Sequence, residues 1–295
     1  MTLTLAGAYT ALATPFRNGA VDLEAMAAFT EFQIADGIAG VVPCGTTGES
    51  PTLTAAEARD IIATVVRVAK GRVPVIAGTG TNATAETIAR TKAAKEVGAD
   101  AAMVVMPYYN KPTQRGLIAH VRAVHDATDL PLVLYNVPTR GTGDLAAESV
   151  VEIARTCPRV IALKEATGNI LRAQSVVAAL GDRVTVLCGD DALTVGMMAV
   201  GAKGVISVTS NVLPGAVQAV VKRFLDGDLA GSLKLHQRLL PVHDVMFLET
   251  NPGPVKGALA AMGKLAPEVR LPLAWPTEGT VEKVVAALRA YGVAV

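Results

Sequence analysis

Apolar residues along the chain come in short bursts that alternate with longer segments of mixed polarity. Bursts of this length are typical of strands that are buried on both faces, as in parallel sheets. None of them approaches the roughly 18 consecutive apolar residues that a membrane-spanning helix needs. The eight predicted strands cover residues 8–12, 38–43, 73–77, 101–106, 132–135, a run that begins at 160, 184–187 and 204–208.

The segments between the bursts carry helix-boundary signals. Thr54 and Glu57 have the spacing of a capping box, and Pro214 suits the first turn of a helix. Three helix-to-strand junctions repeat one pattern, with a glycine where a helix needs a left-handed residue after its C-cap. These glycines are Gly37, Gly98 and Gly201, and the further N-cap candidates are Asp22, Asn82, Asp144, and either Thr167 or Asn169.

Eight strand–helix units without a hairpin signal predict an α/β fold with a parallel sheet and right-handed crossovers. Eight such units favour closure into a (β/α)8 barrel. An open doubly wound sheet is the alternative, but the dinucleotide-binding pattern GxGxxG is absent after the first strand. Because the bursts stop beyond residue 228, we predict a catalytic barrel over residues 1–227 and a small C-terminal helical extension over residues 228–295.

The charge balance argues against several classes of partner. The 295 residues carry a net charge of +1 without a block of like charges, so we expect neither a nucleic acid nor a membrane surface as partner. The mean hydropathy, +0.40, is high and fits strands that are buried on both faces. Residues 1–16 are apolar but contain no Lys or Arg before Arg17, which favours a first strand over a signal peptide.

Cysteine and histidine usage limits the chemistry further. The cysteines are odd in number and far apart, without a CxxC pair, at Cys44, Cys157 and Cys188. This usage predicts small buried residues and a reducing, cytoplasmic location. The four histidines show no HExxH or other ligand spacing. We therefore expect no metal site.

The sixth predicted strand ends in a lysine, Lys164, within the segment IALKEATG at residues 161–168. A free lysine amine is mostly protonated at neutral pH, and burial favours the neutral form, which attacks carbonyl groups to give a Schiff base. The alternative is a lysine that reaches out to solvent or pairs with Glu165. Neighbours along a strand point to opposite faces, which argues against that pair. Lys164 is the candidate nucleophile.

Barrel chemistry takes place at the C-terminal ends of the strands and in the loops that follow them. Three of the five tyrosines in the chain fall there. A phenol at Tyr135, held by Thr46, suits proton transfer. Thr47, with backbone N–H groups of its loop, suits a carboxylate, and Arg140 suits a second carboxylate in a bidentate fork. The residues at these positions are Thr46, Thr47, Tyr108, Tyr109, Tyr135 and Arg140.

Each of these residues also has a structural interpretation. The two threonines are ordinary turn residues in that view, Arg140 is a surface arginine and Tyr108 packs at the barrel rim. The pair at residues 190–191 is better explained as a helix cap than as a metal pair. Because the candidates converge on one barrel mouth, together they favour an aldolase-type enzyme.

Seven motifs, in this order along the chain, resemble those of the dihydrodipicolinate synthase family. The resemblance runs from about residue 7 to the RLPL segment at residues 270–273. The motifs are GTTGES (45–50), PYYNKP (107–112), YNVPTRGTG (135–143), LKEATG (163–168), CGDD (188–191), GVISVTSN (204–211) and NPGPVK (251–256).

The resemblance implies a reaction. Pyruvate condenses with L-aspartate-4-semialdehyde in the diaminopimelate route of lysine biosynthesis, catalysed by a lyase of the class I aldolase type. Lys164 forms the pyruvate imine, and Thr46, Tyr109 and Tyr135 form a proton relay. Tyr109 is expected to reach in from a neighbouring subunit.

The resemblance also implies binding residues and an assembly. Thr47 binds the pyruvate carboxylate and Arg140 the carboxylate of the semialdehyde, while Gly189 and Ile206 line the pyruvate pocket. The expected assembly is a homotetramer built from tight dimers. The imine removes any need for a metal or an organic cofactor.

One departure from the family pattern concerns regulation. Members that lysine inhibits often carry histidines in the helix after GTTGES, where this chain has Ala55 and Ala58. Four other positions still match the allosteric pocket of the family. They are Ser50, Asn82, Glu86 and Tyr108. We expect lysine inhibition to be weak or absent.

Two alternatives remain open at this point. Another Schiff-base lyase of the superfamily, such as an N-acetylneuraminate lyase or a 2-keto-3-deoxy-acid aldolase, would share Lys164 and Tyr135. Arg140 and the adjacent tyrosines favour the synthase, because a sugar acid needs hydroxyl partners there. A non-catalytic barrel that senses 2-keto acids is a remote second alternative.

Overall fold

A computed structural model describes residues 3–141 and 143–295, so Met1, Thr2 and Thr142, the last within the motif YNVPTRGTG, lie outside the described residues. The described residues contain an eight-stranded parallel sheet, as the apolar bursts predict. Along the sheet the strands follow the order β2-β1-β8-β7-β6-β5-β4-β3. They are β1 (Gly7–Ala11), β2 (Gly40–Val42), β3 (Ile76–Gly78), β4 (Ala101–Val105), β5 (Leu132–Asn136), β6 (Val160–Glu165), β7 (Thr185–Cys188) and β8 (Gly204–Ser207).

The sheet curls into a barrel whose seam lies between β2 and β3. Val41 and Val75 form a parallel bridge across the seam. Two backbone hydrogen bonds reinforce it, from Val41 N to Pro74 O (3.1 Å) and from Gly78 N to Pro43 O (2.9 Å). The predicted (β/α)8 barrel is confirmed. A short antiparallel pair, Phe16–Arg17 with Ala20–Val21, follows β1 and was not predicted.

A helix follows each barrel strand, and three more helices end the chain. The first eight are α1 (Leu23–Ala35), α2 (Ala55–Ala69), α3 (Thr84–Glu96), α4 (Gln114–Ala127), α5 (Ala147–Thr156), α6 (Ile170–Leu180), α7 (Thr194–Ala199) and α8 (Pro214–Leu225). The C-terminal helices are α9 (Leu229–Val245), α10 (Gly253–Ala261) and α11 (Glu278–Tyr291).

Several predicted helix caps are present. Asp22 accepts a hydrogen bond from Ala25 N at 2.9 Å, and the capping box of α2 is complete. Of the two alternatives for α6, Asn169 is the cap, because its Oδ1 accepts from Arg172 N at 3.1 Å. These bonds satisfy backbone N–H groups that a helix start otherwise leaves without a partner.

Two predicted caps are wrong. Helix α3 starts after Ala83, one residue beyond Asn82, and Ala83 N donates instead to the hydroxyl of Thr81 at 3.1 Å. Helix α5 starts after Ala146. Asp144 is held away from that start because its Oδ1 accepts from Asn136 Nδ2 at 2.7 Å. For α5, a side chain outside the helix thus competes for the predicted cap.

The C-terminal helices pack onto the barrel. Helix α9 lies against α8, and α11 lies against α9 and α10. Side chains of these helices, such as Leu239, Val255 and Leu288, belong to the same apolar core as the barrel helices. The apolar core is continuous across residue 228. The division of the chain into a barrel (residues 1–227) and a helical extension (residues 228–295) therefore stays a prediction.

A second apolar cluster fills the barrel interior, with Tyr9, Ile76, Met103 and Leu187 among its members. A filled interior leaves the strand ends and their loops as the place for a site. The three cysteines are buried, with free thiols, as predicted. Burial raises the pKa of the Cys44 and Cys188 thiols to about 12. In the described part of the chain, the helices are too short or too polar to cross a membrane.

Candidate active site

Lys164 lies near the C-terminal end of β6 and faces the barrel interior. Its strand neighbour in register is Tyr135 on β5, and partners in register point to the same face of a sheet. Lys164 is 5% exposed, and its Nζ lies 4.2 Å from the centre of the Tyr135 ring. Among the described residues, Nζ has no ion-pair or hydrogen-bond partner. Nothing there competes with an incoming carbonyl carbon for this amine.

Glu165 points the opposite way, as strand alternation predicts. Its Oε2 accepts from Arg172 Nε at 2.8 Å, and the Glu165 side chain is fully buried while that of Arg172 is 9% exposed. Its Oε1 accepts from Thr167 N at 2.8 Å. The alternative in which Glu165 neutralises Lys164 is therefore wrong. The arginine partner on α6 was not predicted, although an outward-facing carboxylate on a buried strand signals that a cation must lie nearby.

The GTTGES loop (residues 45–50) follows β2 and is tightly folded. Hydrogen bonds run from Gly48 N to Gly45 O (3.1 Å) and from Glu49 N to Thr46 O (3.0 Å). Glu49 has a left-handed backbone, with φ of 55°. The loop also approaches β3 so closely that a Cβ on Gly78 would lie 2.1 Å from the Cys44 carbonyl oxygen. This close approach explains the glycine at the end of β3.

Two residues from the C-terminal region contact Glu49 and so hold this loop in place. Lys256 Nζ lies 2.7 Å from Glu49 Oε1, and both side chains are fully buried. The other carboxylate oxygen of Glu49 accepts from Arg270 N at 2.9 Å. Burial lowers the pKa of Lys256, and the adjacent Glu49 carboxylate opposes that change. Sequence reasoning noted both residues within motifs, but it did not predict their pairing.

A cavity of about 220 Å³ opens at the barrel mouth. Thr46, Tyr108 and Arg140 line it, as does Val137. The predicted hydrogen bond between Thr46 and the Tyr135 phenol is not formed in the part of the chain that the structure describes, since Tyr135 belongs to the inner apolar cluster. The cavity brings Thr46 and Arg140 together, whereas Tyr135 lies below them beside Lys164.

Gly189 and Ile206 lie at β7 and β8, the two strands that follow the Lys164 strand in the sheet. Gly189 follows β7, and its N–H donates to the Glu165 carbonyl oxygen at 2.8 Å. A Cβ at this position would lie 2.5 Å from the Ala166 Cβ, so a side chain does not fit. Ile206 on β8 is buried in the inner cluster with Tyr135. Both positions agree with a lining role near the nucleophile.

The aspartates after β7 are structural, as predicted. Asp190 Oδ1 accepts from Ala192 N at 3.0 Å and caps the short turn that follows. Asp191 is buried and accepts from Ser207 Oγ, Val208 N and Thr209 N. Within residues 3–141 and 143–295, no three His, Cys, Asp or Glu side chains come close enough together to hold one metal ion.

Tyr109 is the one candidate catalytic residue that faces away from the others. Its side chain is 85% exposed and its backbone is left-handed, with φ of 71°. A large aromatic side chain is seldom this exposed on the surface of a folded chain. Within one chain, Tyr109 is therefore not brought to Lys164.

A second cavity, of about 230 Å³, adjoins the first. Glu86 pairs there with Arg90 at 2.8 Å. All four residues that match the family's allosteric pocket line this cavity. They are Ser50, Asn82, Glu86 and Tyr108. Ala55 and Ala58 line a further cavity of about 250 Å³ between α2 and α3, which Glu86 and Arg90 also border.

Comparison with known proteins agrees with the motifs and the geometry. Residues 4–291 match the sequence model of the dihydrodipicolinate synthetase family. The chain belongs to this family. A relative in Sorangium cellulosum (strain So ce56), the 4-hydroxy-tetrahydrodipicolinate synthase, is 53% identical over 289 residues, which cover 97% of this chain and 96% of that protein.

Solved structures of the family have the same fold. The dihydrodipicolinate synthase from Aquifex aeolicus has a TM-score of 0.96 at 44% identity, over 97% of this chain and 98% of that chain. The chloride-inhibited dihydrodipicolinate synthase from Acinetobacter baumannii, complexed with pyruvate, has a TM-score of 0.96 at 41% identity, over 99% and 100% of the two chains. The family predicted from the motifs is confirmed.

Proposed function

We propose that the protein catalyses the 4-hydroxy-tetrahydrodipicolinate synthase reaction, in which pyruvate condenses with L-aspartate-4-semialdehyde in the diaminopimelate route to lysine. Family membership over nearly the whole chain supports this activity. The observation that carries it is the buried Lys164 amine, which lies 4.2 Å from the centre of the Tyr135 ring and has no ionic partner among residues 3–141 and 143–295. The prediction of a cytoplasmic location accompanies this proposal.

The Lys164 amine attacks the keto carbon of pyruvate, and loss of water leaves an imine. The imine withdraws electrons, so a methyl proton of pyruvate leaves and an enamine forms. The enamine carbon then attacks the aldehyde carbon of the semialdehyde. Tyr135, with Thr46 and a neighbour's Tyr109, moves the protons of these steps. The imine itself holds the electron pair, so the proposed mechanism uses no metal or organic cofactor.

The two substrate carboxylates take separate positions. Thr47, in the loop after β2, binds the carboxylate of pyruvate, and Gly189 and Ile206 border the same molecule. Arg140 lines the mouth cavity and binds the carboxylate of the semialdehyde. This arrangement orders the substrates with pyruvate deep in the barrel and the semialdehyde above it.

The test is the rate of condensation of pyruvate with aspartate semialdehyde, coupled to NADPH consumption by the next enzyme of the pathway. Robust turnover supports the proposal. If turnover is absent while borohydride still traps pyruvate on the protein, the imine chemistry stands and the second substrate is a sugar-acid precursor. If the protein binds pyruvate without any trapping, it acts as a sensor.

Arg140→Ala is expected to raise the KM for the semialdehyde about 10- to 100-fold, because a charge-assisted hydrogen-bond pair to a carboxylate is lost. The KM for pyruvate should stay within about twofold of its original value. Arg155→Ala, which removes an exposed arginine from α5, is the matched control and should change neither constant. An equal rise in both KM values would contradict the assignment.

Tyr109 gives a test of assembly. We propose a homotetramer in which Tyr109 completes the site of a neighbouring subunit, since it is 85% exposed in one chain. Tyr109→Ala should lower kcat about 100-fold. Mixed in equal amounts with Lys164→Ala chains, it should regain about a quarter of the original activity, because half of all dimers would be mixed and each mixed dimer would have one intact site out of two. If mixing restores nothing, Tyr109 acts in its own chain or in none.

Lysine should inhibit the enzyme weakly or not at all. The cavity between α2 and α3 is lined by Ala55 and Ala58, where inhibited members of the family often have histidines. A lysine titration of the condensation rate measures this, and inhibition at sub-millimolar lysine would contradict the expectation. Ala55→His combined with Ala58→His fills that cavity and should strengthen inhibition.

A further inference from the structure

A side chain from the C-terminal extension reaches the proposed carboxylate-binding threonine. Asn251 Nδ2 donates a hydrogen bond to Thr47 Oγ1 at 3.0 Å, across a sequence separation of 204 residues. Both residues are at least nine-tenths buried, with exposures of 4% for Asn251 and 2% for Thr47. The contact is therefore shielded from bulk water.

This contact fixes the direction of the Thr47 hydroxyl. A hydroxyl has one hydrogen to donate and accepts through its oxygen. Because the Thr47 oxygen accepts from Asn251, its own hydrogen is directed elsewhere. Asn251 Oδ1 has no hydrogen-bond partner in the described structure, so it does not take up that hydrogen either. A carboxylate, which only accepts hydrogen bonds, is the matching partner for the free hydroxyl hydrogen.

The position of Asn251 is fixed by the helix that follows it. Gly253 N donates to Thr250 O at 2.9 Å, and Lys256 N donates to Pro252 O at 2.9 Å. One turn further along α10, Lys256 is held against Glu49 at 2.7 Å. The GTTGES loop is thus tied to this segment at two buried points, through Thr47 and through Glu49.

We propose that Asn251 is a positioning residue that orients the Thr47 hydroxyl toward the carboxylate of the 2-keto acid. The inference rests on the proposed function, because it takes pyruvate as the substrate that Thr47 holds. Asn251 acts through Thr47 and does not itself touch the reacting atoms. Its loss should weaken pyruvate binding and leave the chemistry of the bound imine intact.

The experiment measures imine formation alone. Borohydride trapping is followed by mass spectrometry as pyruvate is titrated, without the second substrate. Asn251→Ala should raise the half-maximal pyruvate concentration about tenfold, with the same adduct yield at saturation. Asn251→Asp keeps the shape of the side chain but cannot donate and adds a negative charge, so it should raise that concentration further. If Asn251→Ala folds poorly, Asn251→Asp tests the proposal in its place.

A double-mutant cycle separates orientation from general destabilisation. Thr47→Val removes the hydroxyl, so adding Asn251→Ala to it should produce no further change in pyruvate affinity. Glu249→Ala is the matched control. It removes a side-chain hydrogen bond of the same segment, to Thr277 at 2.9 Å, and should leave the titration unchanged.

The outcomes distinguish the two proposals. Independent, multiplicative effects of Asn251→Ala and Thr47→Val would overturn the inference, and so would an unchanged titration in both Asn251 variants. In either case, trapping in the unaltered protein would leave the proposed function standing. An unaltered protein that pyruvate never labels would overturn the proposed function, and the inference with it.

Discussion

Lys164→Ala is expected to lower the condensation rate about 10⁴-fold or more, as removal of a covalent nucleophile does in other enzymes. The amine is the only group of the proposed site that forms a covalent bond to pyruvate. No other described lysine lies at the C-terminal end of a barrel strand. Without the imine, the methyl protons of pyruvate are not acidic enough to leave. Coupled NADPH consumption measures the rate.

The control variants sharpen this result. Lys164→Arg keeps a long basic side chain but cannot form an imine, so it should be equally inactive. Lys203→Ala removes an exposed lysine just before β8, at the opposite end of the barrel, and should be fully active. Borohydride with pyruvate should label the unaltered protein once and the Lys164 variants not at all. A labelled, active Lys164→Ala protein would move the nucleophile elsewhere.

Lys256→Met is expected to destabilise the fold by about 3–5 kcal/mol, the usual effect of removing one partner of a buried ion pair. The Glu49 carboxylate would stay fully buried with its negative charge unbalanced. Unfolding in urea, followed by fluorescence or circular dichroism, measures the change in midpoint and slope. Because Glu49 belongs to the GTTGES loop, pyruvate affinity should fall as well.

A compensating change tests the cause. Glu49→Gln added to Lys256→Met removes the unbalanced charge, and the new amide oxygen still accepts from Arg270 N, which donates to Glu49 at 2.9 Å. This double variant should regain more than half of the lost stability. Lys264→Met removes an ammonium that lies 3.6 Å from the Phe32 ring centre and should cost no more than about 1 kcal/mol. A double variant as unstable as the single one would contradict the charge explanation.

The barrel could be predicted from the sequence because its strands are buried on both faces. That burial makes each strand a short apolar run with a recognisable length. Lys164 stands out in such a run, and alternation alone placed Glu165 on the opposite face. The pairing of β5 with β6 follows from consecutive parallel strands being neighbours in the barrel, whereas the register that puts Tyr135 beside Lys164 was not predicted.

The contacts that support the candidate site could not be predicted, because they join parts of the chain that are distant in the sequence. The partners of Thr47 and Glu49 lie more than 200 residues away, and no periodicity links them. One of the two wrong caps, Asp144, failed for a related reason. Asn136 competes for Asp144, and a competing hydrogen bond of this kind has no sequence signal. The exposed position of Tyr109 likewise depends on its local left-handed backbone.

The ion pair between Glu49 and Lys256 has a consequence for the order of events during synthesis. The two residues are 207 positions apart, so at about 5–20 residues per second a ribosome makes the first roughly 10–40 seconds before the second. All eight strands have left the ribosome before Lys256 does. Until then Glu49 has no Lys256 ammonium to pair with. The GTTGES loop therefore acquires its buried ion pair only after the last barrel strand has been made.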